Sequence, residues 1–131
     1  MYVDASALCA VFLREEDCDT FEAKLVAASG AITSAISVWE AVRGVVRETG
    51  RDVGEARAEL EAYLEGAEIV LVPIGGPELE AALSAFARFG KGRHAARLNM
   101  GDCFAYACAK THRVPLLFKG DDFSQTDIPV A

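Results

Sequence analysis

Four acids in this chain are placed so that they could build a hydrolytic centre: Asp4, Glu40, Asp102 and Asp121. Asp102 stands in the first turn of an apolar helical run, Leu98 to Ala107, and Asp121 comes just after the apolar strand pattern Val114 to Phe118. Asp4 directly follows Met1-Tyr2-Val3, and Glu40 falls in the second turn of a helix that opens after Ser34. Carboxylates gathered at short range raise one another's pKa and cost stability unless a cation neutralises them. All-oxygen ligation suits Mg2+ or Mn2+, which takes a few carboxylates, several waters and a substrate phosphate. The chemistry supported there is phosphodiester hydrolysis, with metal orienting a water and stabilising the oxygen that leaves phosphorus.

Taken one at a time, these acids also have ordinary readings. Asp4 and Asp102 suit helix starts, where the dipole favours negative charge. Glu40 can pair with Arg43 on the surface, a contact worth about 0.3–0.5 kcal/mol. Asp121 and Asp122, after Gly120, suit a turn. The basic run before Asp102 reads by default as a solvated loop. His94 and His112 have no partner at metal-ligand spacing, and Cys9, Cys18, Cys103 and Cys108 show neither C-x-x-C nor zinc spacing. Each cysteine sits in or beside an apolar helical pattern, as a small buried hydrophobe would.

The elements that must position the acids follow from periodicity. Met1 to Val3 reads as a buried strand, and Ala5 to Leu13 as a helix with Leu8, Val11 and Phe12 on its core face. A second helix buries Phe21, Leu25 and Val26 and ends by Gly30; Ala31-Ile32-Thr33 is the next strand. Ser34 caps a helix to about Thr49, with Trp39, Val42 and Val46 as its core stripe and Glu40, Arg43 and Arg47 sharing a polar face. Asp52 to Glu65 is a solvated helix with Leu60 and Leu64 inward. Ile69 to Ile74 reads as a strand buried on both faces. Gly75-Gly76-Pro77 opens a helix with Leu79, Leu83, Phe86 and Phe89 inward, ended by Gly90. Asn99 caps the Asp102 helix, and a terminal segment around Asp127-Ile128 completes the sheet. Strands alternating with helices predict an α/β fold: one domain over residues 1–131, with a parallel sheet of about four to five short strands and helices on both faces. Ligand sites in such folds gather beyond the carboxyl ends of the strands, where Asp4, the Thr33 to Glu40 segment and Asp121 all fall.

Composition bounds the partners. The length of 131 residues fits one domain, and no uncharged apolar run approaches the roughly twenty residues of a bilayer span. With no basic and apolar leader pattern at the start, a soluble cytoplasmic protein is expected. The net charge of −7 argues against a general nucleic-acid coat protein. The charge is uneven, however: Glu55 to Glu80 holds seven glutamates, whereas Ala81 to Gly101 holds no acid and carries Arg88, Lys91, Arg93, His94 and Arg97.

Four segments together resemble a known family. Met1-Tyr2-Val3-Asp4-Ala5-Ser6-Ala7-Leu8, Thr33-Ser34 to Trp39-Glu40, Leu98-Asn99-Met100-Gly101-Asp102-Cys103-Phe104-Ala105-Tyr106-Ala107 and Pro115 to Phe123 are similar, in order and across the whole chain, to PIN-domain proteins of the VapC toxin type. The resemblance implies that Asp4, Glu40 and Asp102 ligate Mg2+ or Mn2+, with Ser6 and Asn99 supporting them. Many PIN domains place a fourth acid three residues before the phenylalanine that is Phe123 here. Gly120 stands at that position, so Asp121 is taken for the metal shell and Asp122 for a turn residue. The family further implies a type II toxin that cleaves RNA as an endonuclease, usually a homodimer, held by a VapB-type antitoxin that presents a basic side chain to the carboxylates. Arg88, Lys91, Arg93 and Arg97 would position the RNA backbone. A phosphoreceiver would need an acidic pair after the first strand and an aspartate after the central one, and an aspartyl phosphatase would need Asp-x-Asp where Asp4-Ala5-Ser6 stands. The alternative kept open is a non-catalytic PIN-like module that binds RNA or protein.

Overall fold

In the computed structural model, which describes residues 1–131, the apolar start of the chain forms β1 (Tyr2–Val3) and turns at Asp4 into α1 (Ala5–Phe12). Asp4 caps that helix by accepting the Ser6 N–H, a donor the helix itself leaves unpaired. After α2 (Cys18–Ala27) comes β2 (Ala31–Ser34), and Ser34 both ends the strand and caps α3 (Ala35–Thr49). Gly50, at φ 70°, closes α3 in the left-handed conformation that glycine adopts without strain. Asp52 caps α4 (Val53–Gly66), which leads to β3 (Ile69–Val72) and then α5 (Gly76–Phe89). Asn99 and Asp102 cap α6 (Met100–His112) reciprocally, and β4 (Leu116–Leu117) and a single 3-10 turn, Phe123–Gln125, follow.

The sheet is parallel throughout in the order β3-β2-β1-β4, with Tyr2 paired to Ile32 and Leu116 and Ile32 to Val70. Because successive strand residues point to opposite faces, β1 and β4 each feed two cores. Val3 and Leu117 join Leu8, Val11, Val45 and Leu60 beneath α1 to α4, whereas Tyr2 and Leu116 join Phe89, Leu98 and Tyr106 beneath α5 and α6. Each fully buried Leu among these stabilises the fold by about 1.5–3 kcal/mol. All four cysteines are free; Cys18, Cys103 and Cys108 are buried and Cys9 is partly so. No helix is long and apolar enough to cross a membrane.

The faces of several elements differ from those expected. On α3 the core residues are Ala41, Val42 and Val45, and Trp39 is 61% exposed. On α5 the buried set is Glu78, Ala82, Ala85 and Phe89, leaving Leu79, Leu83 and Phe86 exposed. The reason is the close approach of α5 to α6, which small residues permit and large ones would block. Val26 of α2 is exposed rather than core. β3 lies at an edge of the sheet, so Val70 and Leu71 face outward instead of being covered on both sides. The terminal segment meets the sheet at Val130, bridged to Leu116, not at Asp127-Ile128. Asp127 is instead a tie, accepting from Tyr106 Oη at 2.6 Å and from Arg88 Nη2 at 3.1 Å.

Candidate active site

Parallel pairing brings the carboxyl ends of β1, β2 and β4 to one edge, and with them Asp4, the start of α3 and the Lys119 to Asp122 turn. Asp4 is 4% exposed. Its Oδ2 accepts the Ser6 N–H at 2.9 Å and the Ser6 hydroxyl at 2.5 Å, and Ser6 Oγ in turn accepts the Lys119 N–H at 3.0 Å. Ser6 therefore orients Asp4 and ties it to the turn after β4. That turn is held from the other side by the Lys119 ammonium, which pairs with Asp17 at 2.8 Å and with Glu15.

Asp102 arrives from the opposite face at the first turn of α6. Its Oδ2 accepts the Asn99 N–H at 2.8 Å, while Asn99 Oδ1 accepts the Asp102 N–H at 3.1 Å. Glu40 reaches the same place across the interface between α3 and α6. A β-carbon at Gly101 would overlap the Glu40 carboxylate, so only a glycine beside Asp102 lets that acid lie where it does. Beneath the edge, the Tyr2 hydroxyl bonds Ser34 Oγ and Ser37 Oγ, both at 2.8 Å, fixing the first turn of α3 to β1.

The acids act on one another. Burial raises the Asp102 pKa to about 6, with Asp4 and Asp122 adding to the rise. Burial also raises Glu40, and the charges of Asp4 and Asp102 push it further while Arg43 opposes them. Asp4 is raised chiefly by burial, against its bonds to Ser6, and Asp122 contributes. Of the last pair, Asp122 adds to the rise at both Asp4 and Asp102. The carbonyl of Asp121 accepts the Ser124 N–H and hydroxyl at 3.2 and 2.6 Å. Asp122, Gly101 and Lys119 were not singled out by spacing: two adjacent acids after a glycine are equivalent in sequence, and what Gly101 spares is a residue 61 positions away in the chain.

The donor set suits a hard divalent cation. All donors are carboxylates, and the hydrogen bonds to Asp4 and Asp102 occupy one oxygen of each, leaving the other outside those bonds. A separate trio, Cys18, Asp19 and Glu22, holds its ligand atoms within 4.8 Å of one another on α2. It is a neighbour set along one helix whose buried thiol already donates to the Val11 carbonyl, and it belongs to no sheet edge.

The basic interval lies just before α6. Arg88 is engaged by Asp127 and lies over Phe89. Arg93 lies over Phe86, its guanidinium carbon 4.9 Å from the ring centroid, and none of the ion pairs takes up Lys91, Arg93 or Arg97.

A PIN-domain family model matches residues 1–129. The ribonuclease VapC30 of Mycobacterium tuberculosis is 41% identical over 128 residues, which are 98% of this chain and 95% of that protein. Two solved structures share the fold at 16% identity: VapC20 of M. tuberculosis, a sarcin-ricin loop cleaving toxin, at a TM-score of 0.78 covering 99% of this chain and 97% of that one, and a toxin-antitoxin complex from Klebsiella pneumoniae at 0.73, covering 99% and 95%.

Proposed function

This chain belongs to the VapC ribonucleases of the PIN-domain family, and from that premise we propose that it is a toxin-antitoxin endoribonuclease hydrolysing RNA at the Asp4, Glu40 and Asp102 edge. The single observation that carries the site is the insertion of Glu40 against Gly101, which joins acids from α3 and α6 beside buried Asp4. Asp4, Glu40 and Asp102 would hold Mg2+ or Mn2+, and Asp122 takes the fourth place in preference to Asp121 because its charge bears on Asp4 and Asp102. When bound, the cation supplies an activated water and neutralises charge at the phosphorus.

The chain's own residues do the positioning. Ser6 fixes the rotamer of Asp4, and Asn99 fixes that of Asp102. Lys91, Arg93 and Arg97 draw in the RNA backbone, with Arg88 shared with Asp127. The acidic edge also suits a basic side chain from a VapB-type antitoxin, which would then compete with RNA for one place. A homodimer would cover the exposed apolar row of Leu79, Leu83, Phe86 and Met100. Such a protein works in the cytoplasm, where its RNA is.

The test is incubation of the antitoxin-free chain with structured and unstructured RNAs in Mn2+ or EDTA, beside Asp4→Asn. Cleavage in Mn2+ is expected, and it should vanish with EDTA and in the variant. A folded, metal-binding chain that cut none of them would leave a non-catalytic binding module as the better reading.

A further inference from the structure

A tryptophan with most of its surface in water is the least expected side chain on α3. Trp39 is 61% exposed, although its ring is the largest apolar group in the chain. Arg43 stands beside it, its guanidinium carbon 5.4 Å from the ring centroid, and much of the side chain is still left to solvent. The place of this surface is set by its neighbours. Trp39 immediately precedes Glu40, and Arg43, one turn further along, is also the positive charge that acts on Glu40. One cation thus stands beside the ring and within a helical turn of Glu40.

We propose that Trp39, with Arg43 beside it, is a stacking platform for a nucleobase of the RNA, next to the phosphate presented to Asp4, Glu40 and Asp102; this rests on the ribonuclease reading above. Every base offers a flat π face, and single-stranded RNA is held by stacking of unpaired bases on aromatic rings and guanidinium planes. Phosphate contacts from Lys91, Arg93 and Arg97 hold any RNA at the edge without reading it. The ring adds a contact that requires a base to be unstacked from its neighbours. The platform therefore engages only a base that is unpaired beside the phosphate at the acids.

Trp39 is the chain's single tryptophan, so its fluorescence reports on the site alone. The binding experiment uses Asp4→Asn, which keeps a capping oxygen, in Mg2+, titrated with a short oligoadenylate and with an abasic strand of the same length. The abasic strand keeps the phosphates and lacks the π faces. Quenching by oligoadenylate and not by the abasic strand is expected. In the wild-type background, Trp39→Ala should raise KM for single-stranded RNA roughly tenfold with kcat held, the loss of one stacked base, and Trp39→Phe should restore most of it. Equal quenching by both strands, or an unchanged KM in Trp39→Ala, overturns the platform while cleavage by the wild type leaves the ribonuclease reading intact. A KM rise accompanied by conversion of a dimer to a monomer assigns the ring to an interface between copies and also overturns it. No binding or cleavage of any RNA by the wild type overturns both.

Discussion

Gly101 decides whether Glu40 can take part in the site. In a helix interior glycine costs about 1 kcal/mol relative to alanine, so its presence in the first turn of α6 answers a demand other than helix stability. That demand is the Glu40 carboxylate, which a β-carbon would displace. Gly101→Ala should therefore separate folding from activity. The urea midpoint is expected to stay level or rise, while RNA cleavage falls on the order of 10²-fold, the cost of a displacement of about 1 Å at a reacting centre. A rate equal to the wild type would mean that Glu40 acts from another rotamer. At this scale the sequence was only partly legible. The placement of Asp4, Glu40 and Asp102 toward one sheet edge could be read from their positions after strands and in the first two turns of helices, whereas the paths of Asp121 and Asp122 follow a turn through Gly120 at φ 99°. No spacing rule encodes that rotation.

Among the elements, those with local signals could be read directly. Ser34, Asp52 and Asn99 cap α3, α4 and α6 through side-chain bonds that involve only the next few residues, and Gly50 ends α3 for an equally local reason. The buried faces of α3 and α5 could not be read, because partners distant in sequence select them. Against α6, the stripe of Ala82 and Ala85 wins over the larger Leu79, Leu83 and Phe86. The same distance hid the tie made by Asp127, which joins the C-terminal segment to α5 and α6. The Tyr106 hydroxyl, with Arg88 and Lys110, holds the Asp127 carboxyl down at about 2, below its ordinary value. The unfolded chain then binds more protons than the folded one between about pH 4 and about pH 2, so stability rises with pH across that window and is lost as the pH falls through it. The side chain is 45% exposed, and solvent screening limits the effect to about 1 kcal/mol. Urea unfolding of Asp127→Asn is expected to lose this part of the acid dependence, giving a smaller drop than the wild type between those pH values.

For the whole molecule, net charge and local charge pull in different directions. A chain of net charge −7 repels polyanions at long range, and the proposed RNA-backbone contacts would draw on the acid-free interval before α6. There Lys91, Arg93 and Arg97 are free of ion pairs, while Glu15 and Asp17 are occupied by Lys119. Reversing two of these charges, Arg93→Glu with Arg97→Glu, should weaken binding to all RNAs alike. It should also flatten the plot of log affinity against log salt by about 1.4 or more, from about 0.7 per phosphate contact on a single strand. A slope equal to the wild type's would move the phosphate contacts elsewhere on the surface.

The four free cysteines carry a consequence for handling and labelling. Burial lifts the thiols of Cys9, Cys103 and Cys108 to about 11, and Cys18 is enclosed with its hydrogen directed at a backbone carbonyl. At neutral pH about one molecule in ten thousand carries the reactive thiolate at each of those three sites. The native fold is thereby protected against alkylation and disulfide exchange by its own packing. A cysteine introduced on the exposed surface would be the one group to take up a thiol-directed dye, with the native four left in place.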